Sequence, residues 1–336
     1  MVAGPVNATQ LLTPGLRANF KQTYEQMYKA SRGRLSGAMD FITSDKLFEI
    51  YGYYQASPNP SRWDRGSIIT SKAFKSVQYK TYNKDWGLRI PWHENDEEDD
   101  QIDGLLQRAR EGGQKFALLD ERIFFQLIQS GTDAELLKQI PTAPDGAALY
   151  ATTAGGANRF GVSSGNLLTG DSSPTGQDLR DSIFEAVAQW VQMLDTESQP
   201  LIDPAVIDQG IVVYYSPTIN QEVARAFQQA FPIEVDGTAG SANAAAAPSN
   251  VIHDAGLKID LRQTVRVTTN DLYCFLPGIN LRPVFKQTRR PLRAVGPITM
   301  DNSDSMRDTK NRYMQWDERA GYGFNLPYAT IKVNNS

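Results

Sequence analysis

The longest run of regularly spaced apolar positions lies between Asp99 and Gln129, and it predicts one long helix. Apolar side chains recur there at gaps of three and four residues, which places them on one stripe of an α-helix: Ile102, Leu105, Leu106, Ala109, Phe116, Leu119, Ile123, Phe124, Leu127 and Ile128. Gly112 and Gly113 interrupt the stripe, and a glycine on a buried face lets another backbone approach closely. At ~1.5 Å per residue the helix would be about 45 Å long. We therefore expect a strut around which the rest of the chain is arranged.

Charged clusters stand near the start of this helix and late in the chain. The acidic cluster consists of Glu94, Asp96, Glu97, Glu98, Asp99 and Asp100. A helix dipole favours such charges, and the cluster lacks the Asp-x-Asp-x-Asp-Gly spacing of a calcium loop, so a solvated helix start is the preferred interpretation. Arg289, Arg290 and Arg293 form a small basic patch. This patch could meet the acidic cluster on a neighbouring copy, contact phosphate, or be a solvated turn.

Two segments before the strut suggest contacts. Residues 13–30 predict a short amphipathic helix that begins near Thr13 and Pro14, with a basic linker from Ser31 to Gly37. This arm could pack on its own domain or on a neighbouring subunit. Residues 51–73 are rich in Tyr, Trp, Pro and Arg but have no clear period, which fits either an intersubunit contact or a loop on its own core. The candidate contact residues of this excursion are Tyr54, Arg62, Trp63 and Arg65.

Alternation of apolar and polar residues predicts two strands directly before the strut. Lys75 to Tyr82 and Trp86 to Trp92 alternate cleanly, and the residues between them can form a turn. The sequence therefore predicts a hairpin. Pro91 predicts that its strand lies at an edge or is ending.

The pattern changes after Ile140. Residues 142–176 predict a long loop, and a helix at 177–195, a strand at 211–215 and a helix at about 218–231 predict an α/β subdomain. Further strands are predicted at 257–261, 264–267, 272–276, 312–316 and 322–333. Residues 237–250 are of low complexity and predict a surface loop. We therefore place an inserted domain at about 140–280, between the two halves of another.

Composition and motifs give little support to an enzyme. The 336 residues carry a net charge of −4, and one cysteine with two histidines leaves neither an internal disulfide nor a Cys/His zinc cluster. No apolar run reaches the ~20 residues of a membrane span, and the start lacks a signal peptide, so a cytoplasmic origin is expected. His253 beside Asp254 leaves a hydrolase as an alternative. No catalytic, cofactor-binding or metal-ligating residue is predicted.

The order of these parts resembles the major capsid proteins of tailed bacteriophages, which share the fold first seen in phage Hong Kong ninety-seven. More specifically, it is similar to the Mu-like major head subunit family. The similarity lies in LLTPGLRANFKQTYEQMY (11–28), YKTYNKDWGLRIPW (79–92), EEDDQIDGLLQRAREGGQKFALLDERIFFQLIQSG (97–131), GVSSGNLLTG (161–170), LRPVFKQTRRP (281–291) and RYMQWDERAGYGFNLPYATIKV (312–333). These segments form a pattern of elements in which no single motif is diagnostic.

The resemblance implies an α+β phage major capsid fold. Its parts would be an N-terminal arm at 1–49, an E-loop hairpin at 50–82, a P domain at 83–140 with a spine helix at 99–129, an inserted A domain at 141–280, and P-domain return strands at 281–336. The contact residues named above, from the excursion, the basic patch and Glu97 to Asp100, would then lie between subunits.

The implied function is mechanical and needs no cofactor. Copies would assemble as pentamers and hexamers into an icosahedral shell, without contact to a membrane. The shell would enclose double-stranded DNA without sequence specificity, and a slightly negative chain fits this role. Implied partners are a portal protein, a scaffold and a decoration or cement protein, in a virion assembled in the host cytoplasm. An encapsulin-type nanocompartment shell is the alternative with the same fold.

Overall fold

The computed structural model describes residues 8–56, 75–93, 95, 102–130, 140–228, 257–298 and 310–335. The helices are α1 Ala8–Leu35, α2 Ile102–Ala117, α3 Leu119–Ile128, α4 Gly176–Gln192, α5 Pro204–Ile207 and α6 Asn220–Gln228. The strands are β1 Met39–Thr43, β2 Phe48–Ala56, β3 Lys75–Tyr82, β4 Lys84–His93, β5 Thr153–Ala154, β6 Ala157–Asn158, β7 Leu167–Thr169, β8 Ile211–Tyr215, β9 Ile259–Gln263, β10 Leu272–Phe275, β11 Val284–Ile298, β12 Asn311–Phe324 and β13 Thr330–Asn334. Short 3₁₀ turns lie at Arg159–Gly161, Pro217–Ile219 and Pro327–Ala329. The fold is the mixed α+β architecture that the sequence predicts.

Two sheets organise the described chain. The first has the strand order β1-β11-β12-β4, and its two central strands are long and antiparallel. The second has the order β7-β13-β10-β8-β9. Strand β4 lies at the edge of the first sheet, where a proline need not donate a ladder hydrogen bond. The expectation from Pro91 is therefore confirmed.

The predicted hairpin is wrong in its pairing. Strand β3 pairs with β2, and β4 pairs with β12, although β3 and β4 are adjacent in sequence. The reason lies at Asn83, which is buried and does not form a turn. Its side chain donates to Ser44 Oγ at 2.9 Å and to the Lys46 carbonyl at 2.7 Å, and it accepts from Gln287 Nε2 at 2.9 Å. These bonds fix the corner at which the chain leaves one sheet and enters the other.

The predicted spine consists of α2 and α3, which meet at Leu118. Helix α2 ends at Ala117 and α3 begins at Leu119, where Leu118 has a ψ of 1°. The Leu118 amide nevertheless donates to the Gln114 carbonyl and the Arg122 amide to the Leu118 carbonyl, so helical hydrogen bonds continue across this irregularity. The irregularity coincides with a change of packing partner. Phe116 belongs to a core with α1 and the first sheet, whereas Phe124 packs against the second sheet. Residues 99–101, where the prediction began, lie outside the described residues.

Helix α1 is longer than predicted and lies on its own chain. It includes Pro14 and the predicted linker as far as Leu35, so Thr13 is not its cap. The extension buries Leu35 fully. A Cβ added at Gly113 would lie only 2.7 Å from the Phe20 carbonyl oxygen. The expected close backbone approach at this glycine is confirmed, and the described part of the arm packs on α2 of the same chain.

The second sheet is covered on both faces. Strand β8 is buried throughout, and its residues alternate between two cores. Val213 faces α4 and α6, while Val212 and Tyr214 face α3. The helices predicted at 177–195 and 218–231 and the strand at 211–215 are therefore confirmed, with small shifts at their ends. The second sheet thus lies between α3 on one face and α4 and α6 on the other.

Two further details concern the second sheet and the turn that follows β9. The strand predicted at 264–267 is a turn, in which the Val267 amide donates to the Thr264 carbonyl. Strand β13 pairs with β10 and β7 of the second sheet. The last strand is therefore joined to the second sheet, while the domain boundary at 281–336 stays a prediction. The low-complexity segment 237–250 lies outside the described residues.

Candidate assembly elements and their buried supports

The β2–β3 hairpin has two different faces, because side chains of a strand alternate across a sheet. On the inner face, Tyr51 Oη donates to Gln287 Oε1 and Tyr79 Oη donates to Asn325 Oδ1, both at 2.7 Å. Tyr53 of the same face is buried. These tyrosines hold the base of the hairpin against the body of the chain.

The outer face carries exposed apolar side chains next to polar ones such as Lys80, which lies opposite Ile50. Ile50 and Tyr82 expose 51% and 55% of their surface, and Leu47 just before the strand exposes 52%. Phe48 lies directly opposite Tyr82 in the strand register, and their ring centroids are 5.4 Å apart. A cluster of exposed apolar side chains is typical of a surface that another protein covers. The hairpin is therefore the candidate contact element in the described residues.

A buried ion-pair cluster lies beneath the first sheet. It consists of Lys286 of β11, Asp120 of the first turn of α3, and Glu318 of β12, all of them buried. Lys286 Nζ lies 2.8 and 3.0 Å from the two Asp120 carboxylate oxygens and 2.6 Å from Glu318 Oε1. Tyr322 Oη also donates to Asp120 Oδ1 at 2.7 Å. The cluster joins α3 to the two central strands.

The electrostatics of the cluster follow from its burial. Burial alone would lower the pKa of Lys286, but the Asp120 and Glu318 carboxylates outweigh it and raise that pKa above its usual value. Burial raises the pKa of Glu318, against the opposing effect of Lys286. One lysine thus faces two acids, and burial favours the protonated form of Glu318.

A second ion-pair group fixes the end of the arm helix. Glu121 is buried beside Asp120, and it accepts from Arg34 Nε of α1 at 3.0 Å. Arg266 Nε lies 3.4 Å from the other Glu121 oxygen. Tyr214 Oη donates to the Arg34 carbonyl at 2.6 Å. The arm helix is therefore attached at its carboxyl end to both α3 and the second sheet.

Sequence reasoning missed both ion-pair groups. Asp120 and Glu121 interrupt an apolar stripe in the middle of the predicted spine, and that interruption is the signal that could have marked them. Their partners are far away in sequence, since Lys286 is 166 residues from Asp120. The pairing of the two could not be derived from local pattern.

The basic patch pairs within its own chain. Arg290 Nη2 donates to Asp317 Oδ2 and Arg293 Nε donates to Asp317 Oδ1, each at 2.9 Å. Arg289 is exposed on the same strand. The structure thus places Asp317, and not a distant acidic cluster, against two of the three arginines. A contact of this patch with a neighbouring copy stays a prediction.

The other candidate contact residues lie in β2 or outside the described residues. Tyr54 lies in strand β2. The remaining ones, Arg62, Trp63, Arg65 and Glu97 to Asp100, lie outside the described residues. His253 of the hydrolase alternative lies outside them as well, while His93 Nδ1 accepts from the Asn95 amide.

Among the described residues, no group of His, Cys, Asp and Glu side chains could hold a metal ion. Within the same residues, no helix has the length and apolar character to cross a bilayer.

Comparison with known proteins points to a family. Residues 10–138, which include most of α1, the hairpin strands and the spine, match the family described as "Mu-like prophage major head subunit gpT". This match indicates a phage major capsid protein. The prediction made from the order of elements is confirmed. The family is structural, so the encapsulin and hydrolase alternatives are not favoured.

Solved structures extend the fold assignment over nearly the whole capsid protein. The capsid of an empty GTA particle is 10% identical with a TM-score of 0.53, and the match covers 89% of this chain and 88% of that one. The capsid of the cyanophage P-SCSP1u is 13% identical with a TM-score of 0.50, and the match covers 89% and 86%. At such identities these likenesses establish the shared fold. A search of curated proteins returned no match.

Proposed function

We propose that this capsid protein assembles with copies of itself, as pentamers and hexamers, into an icosahedral shell around double-stranded phage DNA. The observation that carries the proposal is the β2–β3 hairpin, whose inner face is tied to its own chain and whose outer face presents exposed apolar side chains. A second copy of the chain is the partner that the family's role as head subunit favours. Assembly would bury this face.

The charge of the chain supports the proposed contents of the shell. Proteins that bind duplex DNA tightly do so through an excess of Lys and Arg that neutralises phosphates. This chain has 34 basic and 38 acidic residues. A lining without net positive charge would enclose packaged DNA without fixing it in place.

The further partners rest on the family alone. A portal protein, a scaffold and a decoration or cement protein are proposed on that basis, with assembly in the host cytoplasm. Further contacts between subunits are proposed at Arg62, Trp63 and Arg65 and between the basic patch and the acidic cluster.

Acidic substitutions on the outer face of the hairpin test the proposed contact. We expect the double variant Ile50→Asp, Tyr82→Asp to remain folded but to form few or no closed shells, because each carboxylate would be desolvated at the interface. Negative-stain microscopy and sedimentation velocity measure shell formation, and far-UV circular dichroism measures folding. Val191→Asp is the matched control, since Val191 is similarly exposed at 48% but belongs to helix α4 and not to the hairpin. Wild-type yields of shells from the double variant would contradict the proposal.

The contact proposed within residues 51–73 has its own test. Replacing Trp63 and Arg65 together by alanine removes a large ring and a guanidinium of the kind that dominates protein interfaces. We expect the yield of closed shells to fall at least severalfold while the unassembled chain keeps its unfolding midpoint. Shell formation at the wild-type level would show that these residues do not lie at an assembly contact.

A further inference from the structure

In the Lys286–Asp120–Glu318 cluster, an amine nitrogen is held next to two carboxyl groups. This arrangement forms ion pairs and also brings together the groups from which an amide can form. Lys286 Nζ is within 3.0 Å of both Asp120 oxygens, so the nitrogen is held next to the Asp120 carboxylate by both of its oxygens. Glu318 Oε1 is 2.6 Å from the same nitrogen. The three groups are held by three different elements, α3, β11 and β12, so that their positions are fixed by the fold.

The surroundings of the cluster exclude water. Lys286, Asp120 and Glu318 expose 1%, 3% and 4% of their surface. The rings of Tyr28 and Tyr322 lie on the cluster, each with its centroid 5.9 Å from Lys286 Nζ. Amide formation from an amine and a carboxylic acid releases water, so a dry site favours it. Fixed neighbours also react far faster than free ones, with effective molarities of about 10⁵ M or more in well-oriented cases.

We propose that Lys286 and Asp120 of one chain form an isopeptide bond, with Glu318 as the group that carries the proton. The two carboxylates favour the ammonium form of Lys286, so the reaction starts from the minor state in which this ammonium has passed one proton to the Asp120 carboxylate, which gives a neutral amine and a neutral acid. The amine nitrogen then attacks Asp120 Cγ, and a C–N bond forms. A second proton moves from nitrogen through Glu318 to the departing hydroxyl, the C–O bond breaks, and water leaves. An ammonium and a carboxylate thus become one amide and one water, and Glu318 ends as it began.

Glu318 is suited to this role by position and by acidity. It touches the nitrogen that must lose protons, and burial raises its pKa above the ordinary range for a glutamate. A carboxyl group with a raised pKa can hold a proton transiently and return it. Tyr322 Oη, which donates to Asp120 Oδ1, would steady the carbonyl oxygen during attack.

The proposed bond would act within a subunit. It would join the spine to the central sheet and close a covalent loop around residues 120–286, which contain most of the second sheet. Such a link restricts the unfolded chain and stabilises the fold most when the loop is long. It would strengthen each subunit of a shell independently of any contact between subunits.

Mass spectrometry of the full chain, recovered folded from the soluble fraction or from shells, tests the proposal. We expect an intact mass lower than that of the sequence by one water, and a branched proteolytic fragment that joins Lys286 to Asp120. Lys286→Arg keeps the positive charge but should restore the full mass, because a guanidinium does not condense in this way. Asp120→Asn should give the same linked product as the wild type, since it loses ammonia instead of water.

Two outcomes would overturn the inference. A folded wild-type chain with the full, unmodified mass would show that the cluster is only an ion pair. A mass deficit that persists in Lys286→Arg would place the modification elsewhere. Glu318→Gln tests the proton carrier separately: we expect its linked fraction to fall well below that of the wild type, and an equal rate of linkage would remove Glu318 from the reaction.

Discussion

Relative to the chain with the unlinked ion pair, replacing Lys286 by alanine is expected to cost about 3–5 kcal/mol of stability, the usual loss when a buried ion pair is broken on one side. The variant would leave the Asp120 and Glu318 carboxylates buried together without the cation that now lies within 3 Å of both. Two desolvated acids of like charge oppose ionisation of each other. Urea unfolding of the unassembled chain, followed by circular dichroism, measures the loss.

Two control variants separate the electrostatic cause from general damage to the core. Lys21 pairs with Glu25 on the surface of α1, with 76% of its side chain exposed, and Lys21→Ala should change stability by less than about 1 kcal/mol. The triple variant Lys286→Met, Asp120→Asn, Glu318→Gln removes all three charges. It should therefore lose less stability than Lys286→Ala does, because no buried charge is left unpaired. If the free energy of unfolding fell no more in Lys286→Ala than in Lys21→Ala, the buried cluster would not stabilise the fold.

The sequence predicts the elements of this fold better than their pairing. Helix α4 and strand β8 have strong periodicity and clear boundaries, and a capping box at Thr175 and Asp178 starts the helix. Such local signals act over a few residues, and the structure contains the helix and the strand that they predict. The order of elements was then sufficient to indicate the family, because capsid proteins share that order.

The partners of the strands depend on contacts that a local pattern does not contain. The alternation in Lys75 to Tyr82 and in Trp86 to Trp92 predicts two strands correctly, but the choice of neighbours is made by buried Asn83 and by tyrosines that reach Gln287 and Asn325. The same limit applies to the candidate sites. An aromatic excursion predicts a contact element, which stays a prediction, whereas the Lys286 cluster forms only when three distant segments meet.

The α1–α2 contact is the place where the smallest substitution should have a large effect. Gly113→Ala adds a single methyl group, but its Cβ would lie 2.7 Å from the Phe20 carbonyl oxygen and 3.3 Å from the Tyr24 amide nitrogen. Both are backbone atoms, so no side chain can rotate away, and α1 itself must move. Overpacking of this kind costs about 1–3 kcal/mol. The movement would also disturb the stack of Phe20 on Trp316, whose ring centroids are 4.0 Å apart.

Gly104→Ala is the matched control, because it makes the same change in the same helix where nothing lies within 4 Å of the added Cβ. It should stabilise the chain by up to about 1 kcal/mol, since alanine favours a helix more than glycine does. Thermal and urea unfolding of the two variants should therefore shift in opposite directions. Shifts of the same sign would mean that helix propensity, and not the close approach of α1, decides the effect at Gly113.

Because α1 is also attached through Arg34 to Glu121, a displaced α1 should lower the yield of shells along with stability, whereas Gly104→Ala should leave that yield unchanged.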